Sequence, residues 1–309
     1  MTNVLLIGNG AREHAIAEAV MRSGRNPRIY SFMKTNNPGI VSLSEKVCIG
    51  RYDAPEAAVA FARDCGADFA IVGPEDPLSH GFVDALLTAG IPAVGPTRNL
   101  ARLETSKSFT RNLLDKYGIP GNPKFRNFTS VAGIEAFFAE LTGIVLKPDG
   151  LTGGKGVLVQ GDHFQTREEA LDHCSTILKS HPGVTVEEKL EGEEFSLQCL
   201  CDGRTVVATP PVQDHKRRFI DDRGPNTGGM GSYSCPDHLL PFLDADAVAE
   251  GLEITRKVAG AICRETGRPF VFPGSEVQWN SLTDMTDGSL LAEHMVWAAT
   301  EEAAGIEAY

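Results

Sequence analysis

No stretch of the 309-residue sequence comes near the roughly 18 consecutive apolar residues that a membrane-spanning helix requires, so a helical membrane protein is excluded. A surplus of basic residues is missing as well. The 41 Asp and Glu stand against 29 Lys and Arg, a net charge of −12, which disfavours the broad attraction to nucleic acid or anionic lipid that a basic-patch binder needs. The opening MTNVLLIGNG lacks the basic n-region and cleavage site of a secretory leader, and a cytoplasmic location is expected. Cysteine pairs are wanting too: the seven cysteines are odd in number, run from Cys48 to Cys263 without a CxxC, and suggest neither a disulfide framework nor a zinc site. Cys199 and Cys201, the closest pair, fit one face of a strand as small buried thiols. What is present is ordinary for a folded protein of two or three domains: 42% hydrophobic and 23% charged residues, which excludes disorder and a collagen-like chain.

Val4-Leu5-Leu6-Ile7, the turn Gly8-Asn9-Gly10 and the helical pattern Arg12 to Met21 read as strand, tight turn and helix. Further βα repeats follow: a strand at Arg28 to Met33, a helix at Pro55 to Cys65, a strand at Phe69 to Val72 stopped by Gly73-Pro74, and a helix at Gly81 to Ala89. This is a parallel α/β region, and ligands of such sheets sit at the strand ends. Helical material from Asn99 to Tyr117 leads into an α+β region with strands at Ile144 to Lys147, Val157 to Gln160 and Val184 to Glu187 and a helix at Arg167 to Ser180. Strands continue from Glu194 to Pro211. An irregular polar loop is expected from Gln213 to Ser234, then a long helix over about Asp244 to Thr266.

Three glycine-rich loops carry the chemistry. Gly8-Asn9-Gly10-Ala11-Arg12-Glu13 begins like the dinucleotide fingerprint, but Glu13 replaces its third glycine, and no Asp or Glu lies between Ala19 and Ser44 to hold a ribose. A nicotinamide-dependent oxidoreductase is thereby disfavoured, while the turn and helix N-terminus, with Arg12, remain able to hold a phosphate. Lys147-Pro148-Asp149-Gly150-Leu151-Thr152-Gly153-Gly154-Lys155-Gly156 lacks Walker A spacing and is followed by a strand pattern; lysines bracketing flexible glycines suit a flap over a triphosphate. Downstream, Glu187 and the backbone at Leu190 are placed to read an adenine edge, with a later Glu for the ribose hydroxyls. The stretch Asp214 to Phe219, followed by Gly224-Pro225-Asn226-Thr227-Gly228-Gly229-Met230-Gly231, concentrates cations and glycines in an otherwise acidic chain, which suits enclosure of a small anion.

Taken in order, GNGAREHA, NNPGI, GPEDPL, KPDGLTGGKGV, QDHKR and GPNTGGMGSYS resemble the glycinamide ribonucleotide synthetase family of the ATP-grasp superfamily, over about residues 1 to 270 and most like its archaeal members. The resemblance implies an α/β protein with a Rossmann-like domain at 1–104, an ATP-grasp domain at 105–271 whose small lobe covers about 123–191, and a divergent tail at 272–309. It implies phosphorylation of glycine by ATP, then attack on the glycyl phosphate by 5-phosphoribosylamine, with Mg²⁺ or Mn²⁺ as companion of the phosphates. Nucleic acid and membranes are not expected partners. Lys107, Lys147 and Lys155 would serve ATP phosphates, and Glu187, Lys189, Leu190 and Glu194 adenosine. Gly10, Arg12, Glu13, Asn37, Pro38, Gly39, Glu75 and Asp76 would form the phosphoribosylamine side. Asp214, Lys216, Asn226, Thr227 and Gly228 would line the glycine and acyl-phosphate region, with Lys155, Lys216 and Asp214 closest to the chemistry.

The resemblance stops near Val271, before the segment whose Glu and Asn bind metal in the family, so the metal ligands are unassigned. A reading-frame shift there and a genuinely divergent tail, with a helix over Leu290 to Ala304, are the two explanations; the DNA over these codons decides between them. A non-catalytic ATP-binding homologue and another ATP-grasp ligase are the alternative functions. Lys155→Met is expected to abolish ATP-dependent turnover with little loss of fold, and unchanged turnover would remove the flap argument.

Overall fold

The structure is a computed structural model that describes residues 2–23, 26–152, 156–201, 205–221, 223–227 and 229–267. The chain divides into two compact units, one built on residues up to Ala101 together with Leu200–Thr209, the other on Arg102–Cys199 and Pro210–Ala261.

The first unit alternates strands and helices: β1 (Asn3–Ile7), α1 (Ala11–Arg22), β2 (Arg28–Met33), α2 (Pro38–Leu43), β3 (Ser44–Ile49), α3 (Pro55–Asp64), β4 (Phe69–Val72), α4 (Glu75–Ser79), α5 (Phe82–Thr88) and β5 (Ala93–Val94). The strands form one parallel sheet in the order β3-β2-β1-β4-β5. β1 and β4 are apolar at nearly every position because helices cover both faces of the sheet. Val4 and Leu6 point to one face, against Ala17, Val20 and Ile40; Leu5 and Ile7 point to the other, against Ala58, Phe61, Phe82 and Leu86. Phe82 anchors the second face: it is fully buried, with its ring 5.9 Å from Phe32 and 6.3 Å from Tyr52.

The second unit opens with α6 (Arg102–Thr105) and α7 (Lys107–Lys116), followed by β6 (Phe125–Phe128), α8 (Ile134–Phe138), β7 (Ile144–Pro148), β8 (Leu158–Val159), α9 (Arg167–Ser180) and β9 (Val184–Glu188). Its antiparallel sheet has the order β6-β9-β7-β8. Alternation along β9 divides the labour. Val184 and Val186 enter the core with Leu146, Phe137, Phe138 and Ile177, so Thr185 and Glu187 turn to the opposite face. Lys147 lies on that same face, directly across from Thr185.

Beyond β9 the strands are short: β10 (Cys199–Cys201) pairs with β11 (Val206–Ala208), β12 (Gln213–Asp214) with β15 (Ser232–Tyr233), and β13 (Arg217–Phe219) with β14 (Arg223–Asn226), before the long α10 (Ala245–Thr266). The expected irregular loop from Gln213 to Ser234 is therefore two antiparallel ladders. Asp221, at φ 58°, lies between β13 and β14; within β14, Gly224 has φ 85°, and the Phe219 ring lies so close over it that a Cβ there would come within 3.0 Å of the ring. These strands lack apolar alternation because they are narrow ribbons with polar faces, which is why sequence periodicity conceals them. Among the described residues no helix is long and apolar enough to cross a membrane.

Deleting the Phe82 ring opens a cavity between β2, β4 and α3. Phe82→Ala is expected to cost about 3–5 kcal/mol, measured as a fall in urea midpoint, whereas Val131→Ala, at a half-exposed position, should stay within about 0.5 kcal/mol of wild type.

Candidate functional site

In the first unit the chain runs outward from β1 to β2 and β3 and then crosses back to β4, so the strand order reverses between β1 and β4. Ligands of open α/β sheets bind at such a reversal, at the carboxyl ends of the strands. Gly8 to Gly10 and Gly73 to Asp76 meet there, with the Gly73 amide donating to Ile7 O. Glu13 lies between them at 2% exposure. Its Oε2 accepts the Gly10 N–H at 2.7 Å, and its Oε1 receives Arg12 Nε at 3.3 Å. A Cβ on Gly8, Gly10 or Gly73 would come within 3.0 Å of the Glu13 side chain, so all three glycines are fixed by the space this carboxylate occupies. Glu13 therefore replaces the fingerprint's third glycine by folding back over the turn, capping α1 through the Gly10 amide.

Arg12 reaches on to Glu75 at 3.1 Å. Burial acts to lower its pKa, but Glu75 and Glu13 outweigh burial and hold the guanidinium above its ordinary value. Asn37 Oδ1 accepts the amides of Gly39 and Ile40, capping α2 where Pro38 begins it, and Asn37 Nδ2 donates to Asn9 O at 3.0 Å. Gly39 lies flat against the His14 ring, where a Cβ would come within 3.0 Å. Gly10, Arg12, Glu13, Asn37, Pro38, Gly39, Glu75 and Asp76 are thus gathered at one sheet edge. Four residues to which the sequence motifs assign no role of their own join them. Lys34 stands 3.3 Å from Asp76, the Tyr52 phenol donates to Asn9 Oδ1 at 2.7 Å, and Asn9 Nδ2 donates to Thr35 Oγ1 at 2.9 Å. Burial pushes the Tyr52 pKa up to about 12. Lys34 and Thr35 adjoin the NNPGI motif, and that adjacency was the available signal; nothing in the sequence marks Tyr52.

In the second unit Glu187 is 3% exposed and is met by two cations, Lys147 at 2.7 Å and Arg111, whose Nε and Nη2 lie 2.6 and 3.1 Å from its two oxygens. Burial works to raise its pKa, but the bonds from Arg111 and Lys147 outweigh burial and hold the carboxylate below its ordinary 4.5. Lys107, in the first turn of α7, donates to Gly150 O at 2.8 Å, and burial depresses its pKa. The base of the glycine hairpin is tied to the same helix end, because Asp149 accepts from Ser106 Oγ, Ser108 N and Ser108 Oγ. Lys189 reaches toward Glu191 at 3.9 Å, and Leu190 is largely exposed. Lys216 binds Glu194 at 2.6 Å, which raises the lysine pKa, and lies 3.7 Å from Asp214. Thr227 donates through both its amide and its hydroxyl to Lys216 O. Asn226 enters β14 opposite Arg217. Asp214 Oδ1 is buried without a hydrogen-bond partner among the described residues. Lys155 and Gly228 lie outside the described residues.

The geometry thus unites Lys147 with Glu187, Lys107 with the hairpin base, and Lys216 with Asp214, Glu194 and Thr227. Arg111 is the functional partner that sequence reasoning missed; only the fold brings positions 111, 147 and 187 together. Glu187→Gln would leave Arg111 and Lys147 facing each other without their anion. It is expected to destabilise the unit by roughly 3 kcal/mol at neutral pH. The depressed carboxylate contributes stability that is complete above 4.5 and lost as pH falls through the folded value, so the gap between wild type and variant should close in acid, read by urea unfolding at a series of pH values.

Two family models match adjoining stretches of the chain: the N domain of phosphoribosylglycinamide synthetase over residues 2–104 and its ATP-grasp (A) domain over residues 105–271. The phosphoribosylamine–glycine ligase of Methanopyrus kandleri is 46% identical over 276 residues, covering 87% of this chain and 62% of the relative; that of Methanococcoides burtonii is 45% identical over 260 residues, covering 84% and 60%. The chain thus spans about three-fifths of the length of these relatives. The crystal structure of phosphoribosylamine–glycine ligase from Thermotoga maritima superposes with a TM-score of 0.71 at 23% identity, covering 100% of this chain and 77% of that one. D-alanine–D-alanine ligase from Bacillus anthracis gives 0.65 at 13%, covering 99% and 100%, and these two likenesses show the fold. With both of its domain models matched over residues 2–271, the chain belongs to the phosphoribosylglycinamide synthetase family.

Proposed function

We propose that the chain carries out ATP-dependent ligation of glycine to 5-phosphoribosylamine, giving glycinamide ribonucleotide, ADP and phosphate. The observation that carries this reading is the unbroken family match over residues 2–271, which takes in every loop whose side chains converge in the two units. A glycine carboxylate oxygen attacks the γ-phosphorus of ATP and ADP leaves; the amine nitrogen then attacks the acyl carbon, the C–O bond to phosphate breaks and the amine loses a proton. Neither step needs a covalent enzyme intermediate, so positioning and electrostatic stabilisation are the protein's contribution.

Lys107, Lys147 and Lys155 are assigned to the phosphates, where ammonium groups offset the negative charge. Glu187 serves the nucleotide by holding Lys147 in place, and Lys189, the exposed Leu190 and Glu194 adjoin the adenosine. Asp214, whose Oδ1 has no hydrogen-bond partner among the described residues, is an acceptor for the glycine ammonium or for the proton leaving the amine, and Lys216, Asn226, Thr227 and Gly228 complete that region. Gly10, Arg12, Glu13, Asn37, Pro38, Gly39, Glu75 and Asp76 make the phosphoribosylamine side, Glu13 by shaping the turn and Glu75 and Asp76 by accepting ribose hydroxyls. The functional division falls near residue 104, with a small lobe at about 123–191 and a separate tail from 272. Mg²⁺ or Mn²⁺ is the expected companion of ATP. Among the described residues no three His, Cys, Asp or Glu side chains cluster as a metal site, and the protein ligands of the ion are unassigned.

The test is ADP release by the purified 309-residue chain with ATP, divalent cation, glycine, and phosphoribosylamine formed in place from ribose 5-phosphate and ammonia. Release that requires both glycine and ribose 5-phosphate is expected, and Lys107→Met should weaken ATP uptake by about tenfold. ATP uptake without glycine-dependent release would overturn the ligase reading and leave a nucleotide-binding protein.

A further inference from the structure

On the reading above, the first unit holds a phosphoribosyl group at the β1–β4 edge, and its phosphate, with a charge of about −1.5 to −2, needs donors there. The glycine turn is closed to it. The Gly10 N–H is given to Glu13, and the Glu13 carboxylate fills the space bounded by Gly8, Gly10 and Gly73. An anion brought against that buried carboxylate would meet like charge in a poorly screened place. Arg12 differs from the other cation of this edge in facing two carboxylates, its Nε on the buried Glu13 at 3.3 Å and its Nη2 on the exposed Glu75 at 3.1 Å, so an incoming anion there would meet the Glu13 charge as well.

A second cation of this edge is differently placed. Lys34 follows the last residue of β2, is more than half exposed, and has its Nζ 3.3 Å from Asp76 and 5.9 Å from the centroid of the Tyr52 ring. An exposed pair such as Lys34 with Asp76 is worth at most about 1 kcal/mol, so the ammonium is readily shared with a stronger anion. Thr35 stands beside it with its donor oriented. The buried Tyr52 phenol donates to Asn9 Oδ1, which turns the Asn9 amide nitrogen toward Thr35 Oγ1. Thr35 oxygen therefore receives that bond and keeps its own proton for a further acceptor.

We propose that the Lys34 ammonium and the Thr35 hydroxyl hold the phosphate of the phosphoribosyl substrate, and that Glu13 is the built-in anion that keeps it out of the glycine turn. This assignment rests on the phosphoribosylamine reading and adds the place of the phosphate to it. The same filler leaves a turn so like a dinucleotide fingerprint without room for a pyrophosphate against its amides.

Calorimetric titration of the full chain with ribose 5-phosphate, a stable probe without the amine, and with inorganic phosphate tests the assignment. Wild type is expected to bind ribose 5-phosphate. Lys34→Met should weaken it about tenfold or more and flatten its salt dependence, Lys34→Arg should retain most of it, and Thr35→Val should lose severalfold. Both side chains are exposed, so melting temperatures should hold; if Lys34→Met nevertheless melts early, the Lys34→Arg and Thr35→Val titrations decide. Wild-type binding of ribose 5-phosphate with equal binding by Lys34→Met and Thr35→Val would overturn the phosphate assignment while leaving the phosphoribosyl reading standing. Failure of the wild type to take up ribose 5-phosphate would overturn both.

Discussion

Glu187 is a carboxylate with almost no access to water in the middle of an antiparallel sheet, and the cost of burying an ion there is met only because Arg111 and Lys147 come to it from α7 and β7. That requirement organises the second unit. It ties α7 to the polar face of the sheet through Arg111, and it holds the ammonium of Lys147, a lysine of the candidate nucleotide site, 2.7 Å from the carboxylate. Asn127 and Asn112 extend the same face by hydrogen bonding each other, and Thr185 donates to Asn127. The opposite face of the same strands is mainly apolar, with Arg126 opposite Val186 and Glu188 opposite Ile144 as its polar members, so the pleat largely separates packing from chemistry. Glu13 obeys the same constraint in the first unit with a different compensation, a backbone amide and one guanidinium.

These two buried carboxylates give the glycines around them a meaning that composition does not. Gly8, Gly10 and Gly73 make room for a side chain of the protein itself, and Gly8 also carries a φ of 142° that disfavours any other residue. The family likeness and the site geometry support one another here, since the motif GNGARE joins the turn, the filler and the guanidinium that pairs with it in six consecutive residues. A helix N-terminus is an anion site in general. In this chain the anion is covalently part of the helix.

Much of the first unit was legible in the sequence because parallel strands buried on both faces read as unbroken apolar runs, as in Val4 to Ile7 and Phe69 to Val72, which end at glycines. β3 escaped notice: Ser44–Ile49 is an edge strand with exposed Glu45 and Lys46 and carries no such run. β12 to β15 were hidden for a related reason, being polar ribbons of two to four residues. At the site, residues within recognisable motifs were found, and those held by distant partners were not. Arg111 touches Glu187 across 76 positions of sequence, and Tyr52 touches Asn9 across 43; neither separation leaves a periodic trace. The motif around Asp149 was read as a flap lysine's neighbourhood, whereas its own carboxylate caps α7 through two serines forty residues upstream, a tie that only the fold creates.

The seat of Gly39 on the His14 imidazole couples the first turn of α2 to α1. A methyl group at position 39 has no space while the ring is present, and a smaller residue at 14 would leave a void above the glycine, so neither position drifts alone without loss. A change at either position is therefore expected to be tolerated better when the other changes with it, the contact between α1 and α2 being a pair of matched shapes.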